Sequence, residues 1–183
     1  VSEFLAGTWV TDTVAFTHLA RADHLDLLEK LAPGGVVVVP SDVNDEVEHG
    51  RDKYPSIPSI ASLGWVTLVM PDQDEEWTLL EVKAQLGGGP KKNIGESAVI
   101  AVAKHRGSVA ILDDAGGRHE AAFRNVQQIG TLWIVIEAYK TLLHEDRPQA
   151  ERIVDDLLAT DMRLPVSSGA NLFAWAYEQG LLP

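Results

Sequence analysis

The chain has 183 residues, 45% of them hydrophobic and 23% charged, with no cysteine and a formal net charge of −12. That is ordinary for a single globular domain over residues 1–183 with a substantial core, and it excludes a disulfide framework or a thiolate metal site. No apolar run approaches the roughly 18 residues a membrane span needs, and the N-terminal residues lack a basic-then-apolar signal pattern, so a cytoplasmic protein with no membrane partner is expected. The acidic balance opposes general electrostatic capture of nucleic acid. The charge is uneven, however: residues 37–82 hold ten acids against Arg51 and Lys53, whereas residues 83–124 hold seven bases against four acids. A phosphate-bearing ligand is therefore compatible with that second stretch.

Thr8–Asp12 (TWVTD) has the pattern of a first strand ending in an acid. Thr13 to about Leu31 is helical, with a break expected at Arg21–Asp23, and Pro33-Gly34-Gly35 is a turn. Val36–Val39, four valines in a row, suits a strand buried on both faces. Pro40 ends it, and Ser41 is an N-cap candidate for a helix through about His49 that carries Glu46 between Val43 and Val47. Residues 50–64, rich in Pro, Ser and Gly, form an irregular connection. Trp65–Met70 is a third strand and Asp72–Leu86 a helix with an acidic first turn.

Gly87–Lys92 is a glycine-rich loop without the G-x-x-x-x-G-K-[ST] pattern of a phosphate loop. The helix that follows is apolar without a break from Ala98 to Ala103, which suits one packed beneath its neighbours, and Gly107 stops it. Val109–Leu112 is a fourth strand, terminated by Asp113–Asp114. A helix is expected from about Arg118 to Gln127, then a strand from Gly130 to Ile136 passing directly into a helix to His144. Two further helices, near Pro148–Thr160 and Ser168–Gln179, extend the chain, with Trp133, Phe173, Trp175 and Tyr177 as core or subunit contacts. Apolar strands alternating with helices imply an α/β fold with a parallel central sheet, helices on both faces, and all strand C-termini on one edge.

Four segments send an acid to that edge: Asp12, Glu46, Glu96 and the pair Asp113–Asp114. Taken singly, Asp12 and Asp114 suit N-caps, Glu96 has the capping-box spacing from Asn93, and Glu46 suits a solvated helix face. Taken together they would repel one another unless a cation sat among them, and an all-oxygen set favours Mg²⁺ or Mn²⁺. An aspartyl-phosphate phosphatase would need an acid two residues after Asp12, where Val14 stands. Ser97 in GESAV lacks the closing glycine of a nucleophile elbow.

The segments VTDT (10–13), VVVPSDVNDEV (37–47), GESAVIAVA (95–103) and AILDDAGGR (110–118) resemble, in order and spacing, a PIN domain, the Mg²⁺-dependent nuclease fold of many toxin–antitoxin ribonucleases. The likeness spans roughly residues 8–145, with residues 146–183 as a helical extension. It implies a three-layer α/β/α sandwich and metal-dependent hydrolysis of RNA phosphodiesters. By position, Asp12, Glu46, Glu96 and Asp114 would be the catalytic acids and, with Asp113 as neighbour or substitute, the ligands of Mg²⁺ or Mn²⁺. Apart from the resemblance, Lys91 and Lys92 in the glycine-rich loop are candidates to contact the RNA backbone, and Arg118 is equally a candidate to pair with phosphate or with the nearby acids. An antitoxin protein is the partner a toxin would have, and a homodimer is compatible with how common dimers are. The chain departs from the family in having Glu96 where Asp is usual, Val14 two residues after the first acid, and Leu112 two before the last. Those departures point to the alternative, a non-catalytic PIN-like protein that binds nucleic acid or protein.

Overall fold

The computed structural model describes residues 7–183; residues 1–6, the start of the expected domain, lie outside the described residues. Five strands form one all-parallel sheet: β1 (Trp9–Thr11), β2 (Val37–Pro40), β3 (Val66–Val69), β4 (Val109–Ile111) and β5 (Gln128–Ile129), in the order β3-β2-β1-β4-β5. The register sets Trp9 between Val37 and Val109, and Val10 between Val38 and Ala110. Every residue of β1, β2 and β4 is buried, which is why those segments, Thr11 apart, are apolar instead of alternating. At the edge, β3 exposes Thr67 and Leu68.

Nine α-helices accompany the sheet among the described residues. The first connection is α1 (Thr13–Arg21) and α2 (Asp26–Leu31), broken as expected near Asp23, whose φ is 60°. Next come α3 (Ser41–Arg51), α4 (Gln73–Leu86), α5 (Ile94–Arg106) and α6 (Ala115–Phe123). The chain continues through α7 (Thr131–Thr141), α8 (Arg147–Ala159) and α9 (Leu172–Glu178). Helix α5 is the core of one layer. It packs on β1, β2 and β4 and is covered in turn by α3, α4 and α6, so that Ala98–Ala103 are all buried. Helices α1, α2, α7 and α8 form the other layer, giving the three-layer α/β/α sandwich.

Three local expectations are corrected. The apolar stretch Gly130–Ile136 is not a strand: β5 is only Gln128–Ile129, and Thr131 opens a helix whose residues Leu132, Ile134, Val135 and Ile136 are buried. An apolar run this continuous fits a buried helix as well as a buried strand. Helix α6 begins at Ala115, three residues before Arg118, because Asp114 caps it, and it ends at Phe123. Ser41 lies inside α3 and makes no cap; Pro40 holds the N-cap position.

Candidate active site at the switch point

The connections leave β1 in opposite directions, toward β2 and β3 on one side and β4 and β5 on the other. The C-terminal ends of β1 and β4 therefore flank the topological switch point, where an open α/β sheet has its crevice. Asp12 follows β1 directly, and Asp113–Asp114 come one residue after β4. A cleft of about 210 Å³ opens there, lined by Asp12, Thr13, Val14, Glu46, Asn93, Glu96 and Asp114. Among the described residues the lining holds four carboxylates and neither lysine nor arginine.

Each acid has its own local anchor. Asp12 is 3% exposed and caps α1, its Oδ1 accepting from the Ala15 N–H at 2.8 Å. Asp114 caps α6 through Oδ1, which accepts from the Gly116 N–H at 2.8 Å, but stays exposed. Capping and lining the cleft are thus compatible roles. Glu46 is held at both oxygens: Oε2 accepts from Thr13 Oγ1 at 2.5 Å and Oε1 from the Gly95 N–H at 3.1 Å. Gly95 allows this approach, since a Cβ there would lie 2.6 Å from Glu46 Oε2.

Glu96 is different. Asn93, the N-cap of α5, is left-handed with φ 61° and makes no side-chain cap, so the capping box is absent and the Glu96 carboxylate is turned elsewhere. It lies against the first turn of α6, where Gly117 makes room; a Cβ at 117 would collide with Glu96 Oε1. The extra methylene of glutamate over aspartate is accommodated by the missing side chain opposite. Buried as it is, Glu96 Oε1 has no hydrogen-bond partner among the described residues.

The acids perturb one another. Burial pushes the Asp12 carboxyl well above its ordinary range; the charges of Asp113, Glu96 and Glu46 add to that, and the Ala15 N–H works against it. Burial, with the charges of Asp114 and Glu46, raises Glu96 to about 7, and the nearby Gly117 N–H opposes the shift. Among the described residues, no three Asp, Glu or His side chains are gathered into a ready-made cation cage.

The other residues singled out from sequence lie at the margins. Asp113 does not line the cleft: its Oδ1 accepts from the Thr131 N–H at 2.8 Å and its Oδ2 from Thr131 Oγ1 at 2.6 Å, joining β4 to the start of α7. Burial raises its pKa, while the Thr131 hydrogen bonds and the Arg118 charge pull the other way. Arg118 is exposed on α6 beside Asp113 and Gly130. Lys91 lines a neighbouring cavity of about 560 Å³ that shares Glu46 with the cleft, and Lys92 is exposed with its stem over Gly88. Thr13, Gly95, Gly117 and Thr131, which hold the acids in place, escape a search for chemistry-bearing residues. Their one sequence signal is position: each directly adjoins an acid or follows the acid pair within a few residues, or opens an apolar run.

No curated protein matches the chain. A family model described as a PIN domain matches residues 8–174, a span that runs past residue 145 through α8 and into α9. PIN domains are generally nucleases and typically use divalent metals. With the parallel sheet, the switch-point crevice and most of its length in agreement, the chain belongs to the PIN-domain family.

Proposed function

We propose that the protein is a divalent-metal-dependent ribonuclease that hydrolyses RNA phosphodiester bonds in the switch-point cleft. The observation that carries this reading is the convergence of Asp12, Glu46, Glu96 and Asp114, from four separate segments, on a cleft whose lining, among the described residues, has no lysine or arginine. The donor set is anionic and all-oxygen, and it includes a buried oxygen without a partner, Glu96 Oε1. Both features fit a hard cation such as Mg²⁺ or Mn²⁺. When bound, such an ion polarises a phosphoryl oxygen and eases ionisation of a water.

The chain's own residues supply the rest. Asp12, buried and tied to the Ala15 N–H, is the fixed floor of the site. Glu46, clamped at both oxygens, is a second rigid donor. Glu96 exchanges a proton near neutrality, so it holds one when the cleft is otherwise uncompensated and releases it when positive charge arrives. Exposed Asp114 closes the rim, and Lys91, Lys92 and Arg118, all exposed, offset the charge of the RNA backbone on either side.

The test is cleavage of end-labelled single-stranded RNA by purified protein with Mn²⁺ or Mg²⁺, compared with Asp12→Asn. Loss of at least about a hundredfold in rate is expected, the scale on which removing an electrostatic contribution to phosphoryl chemistry acts. Cleavage that persists undiminished in Asp12→Asn would overturn the assignment. A second reading, RNA binding without cleavage, draws on apolar Val14 in the cleft, buried Leu112 two residues before Asp114, and the ungathered acids. RNA retained in a mobility-shift assay but uncut in either metal selects it.

A further inference from the structure

Helix α4 carries large apolar side chains on two opposite sides. Its inner side, with Thr78, Val82 and the buried Glu75, packs on α5 and α6. At about 100° per residue, Gln73, Trp77, Leu80 and Ala84 fall on one strip of the opposite side. Trp77 is 63% exposed and Leu80 57%. Asp74 and Glu81 border this strip on one flank and Glu76 on the other, all three exposed. Lys83, the one base on the helix, is drawn to its end, where Nζ donates to the carbonyl oxygens of Gly87 and Gly89, both at 3.0 Å, so the rim stays acidic by three to one.

A lone exposed leucine needs no explanation, but a tryptophan-centred strip rimmed by three carboxylates against one lysine marks an interaction surface. The charge also selects the occupant. Two copies of this face would set carboxylates against carboxylates, which disfavours self-association. The complement is an apolar strip edged by lysine or arginine, in the arrangement by which amphipathic helices dock.

We infer that the outer face of α4 is a docking surface for a basic amphipathic helix of another protein, seated on Trp77, Leu80 and Ala84 and flanked by Asp74, Glu76 and Glu81. Helix α4 contributes no residue to the carboxylate cleft, so this docking stands independently of the nuclease reading.

The experiment uses two synthetic helices with the same leucine pattern (i, i+3, i+7), one flanked by lysines and one by glutamates, titrated calorimetrically into the full chain. The lysine-flanked helix binds and the glutamate-flanked one does not. The variant Trp77→Ser with Leu80→Ser weakens binding at least about tenfold, as loss of an aromatic anchor does. Glu76→Lys with Glu81→Lys reverses the preference between the two helices. Circular dichroism verifies that both variants, altered only at exposed positions, stay folded. Absence of binding to the unsubstituted protein overturns the inference, and so does binding that both variants retain, because general charge capture is then responsible. A concentration-dependent dimer in sedimentation, abolished by Trp77→Ser with Leu80→Ser, overturns it in favour of a second copy.

Discussion

The Thr13 hydroxyl donates to Glu46 Oε2 at 2.5 Å, joining the first turn of α1 to α3 at the cleft both residues line. The bond makes Thr13 a positioning residue for Glu46. Thr13→Val removes the donor at nearly constant shape and is expected to weaken Mn²⁺ affinity about 10–100-fold, the usual scale for losing an outer hydrogen bond to a ligand. Thr13→Ser restores the hydroxyl and with it most of the affinity. Calorimetry on the three proteins checks this; equal affinity in all of them removes Thr13 from the site.

Gly117 and Glu96 are coupled by space. A methyl group at 117 collides with Glu96 Oε1, so Gly117→Ala is expected to destabilise by about 1–3 kcal/mol through overpacking. Shortening the acid with Glu96→Asp should relieve part of that. The double-mutant cycle then gives an interaction energy of about 0.5 kcal/mol or more in the compensating direction. Chemical denaturation of the four proteins supplies it, and strict additivity contradicts the contact.

Much of this was legible in the sequence, for a physical reason. Strands buried on both faces must be apolar throughout, so Val36–Val39 and Val109–Leu112 announce a parallel sheet, and a parallel sheet fixes the edge to which Asp12 and Asp114 belong. Periodicity fails where burial is nearly complete: the first turns of α7 are packed among α2, α8 and Trp9 of β1, and their apolar start resembles a strand. Asp113 and Asp114 could not be told apart by type. One turns to Thr131 and the other caps α6 beside the cleft, a division set by where β4 ends. The supporting roles of Thr13, Gly95 and Gly117 depend on distances between elements far apart in the chain, which no local pattern encodes.

That division predicts a contrast. Asp113→Asn leaves Mn²⁺ affinity within about threefold, whereas Asp114→Asn weakens it about 10-fold or more, as expected for a residue that lines the cleft against one that stands behind it. Asp113→Ala, in exchange, destabilises by about 1–3 kcal/mol because the buried Thr131 hydroxyl and N–H lose their acceptor. Parallel calorimetry and denaturation separate the two acids; a larger affinity loss in Asp113→Asn would exchange their roles.

Without metal, stability should fall as pH rises. Glu96 ionises at about 7 in the folded protein against an ordinary 4.5, so between those values the folded state keeps a proton that the unfolded chain has released. The Glu96 contribution is therefore lost progressively from about pH 4.5 to 7 and levels off above, and Asp12, also raised, acts in the same direction. Glu96→Gln flattens that slope and gains on the order of 1–3 kcal/mol at pH 8 in the presence of a chelator. Urea denaturation across pH 5–8 measures it, and a wild-type curve parallel to that of Glu96→Gln refutes the shift.

The Glu75–Arg106 pair carries the opposite sign. Glu75 is 1% exposed, and Arg106 donates to it twice, from Nε at 2.6 Å and Nη2 at 2.9 Å, tying the start of α4 to the end of α5. Arg106 is the main cause of the lowered Glu75 pKa, so this pair stabilises above the ordinary carboxylate value and its contribution is lost as pH falls through the folded one. Arg106→Met leaves a buried carboxylate unpaired and is expected to cost about 3 kcal/mol near neutrality, while Arg106→Met with Glu75→Gln costs less than the single change. Because the pair is remote from the cleft lining, neither variant should alter Mn²⁺ affinity. A double variant less stable than Arg106→Met alone would mean that Glu75 acts mainly through its capping contact with the Asp72 N–H, and the ion pair would lose its assigned part in holding α4 to α5.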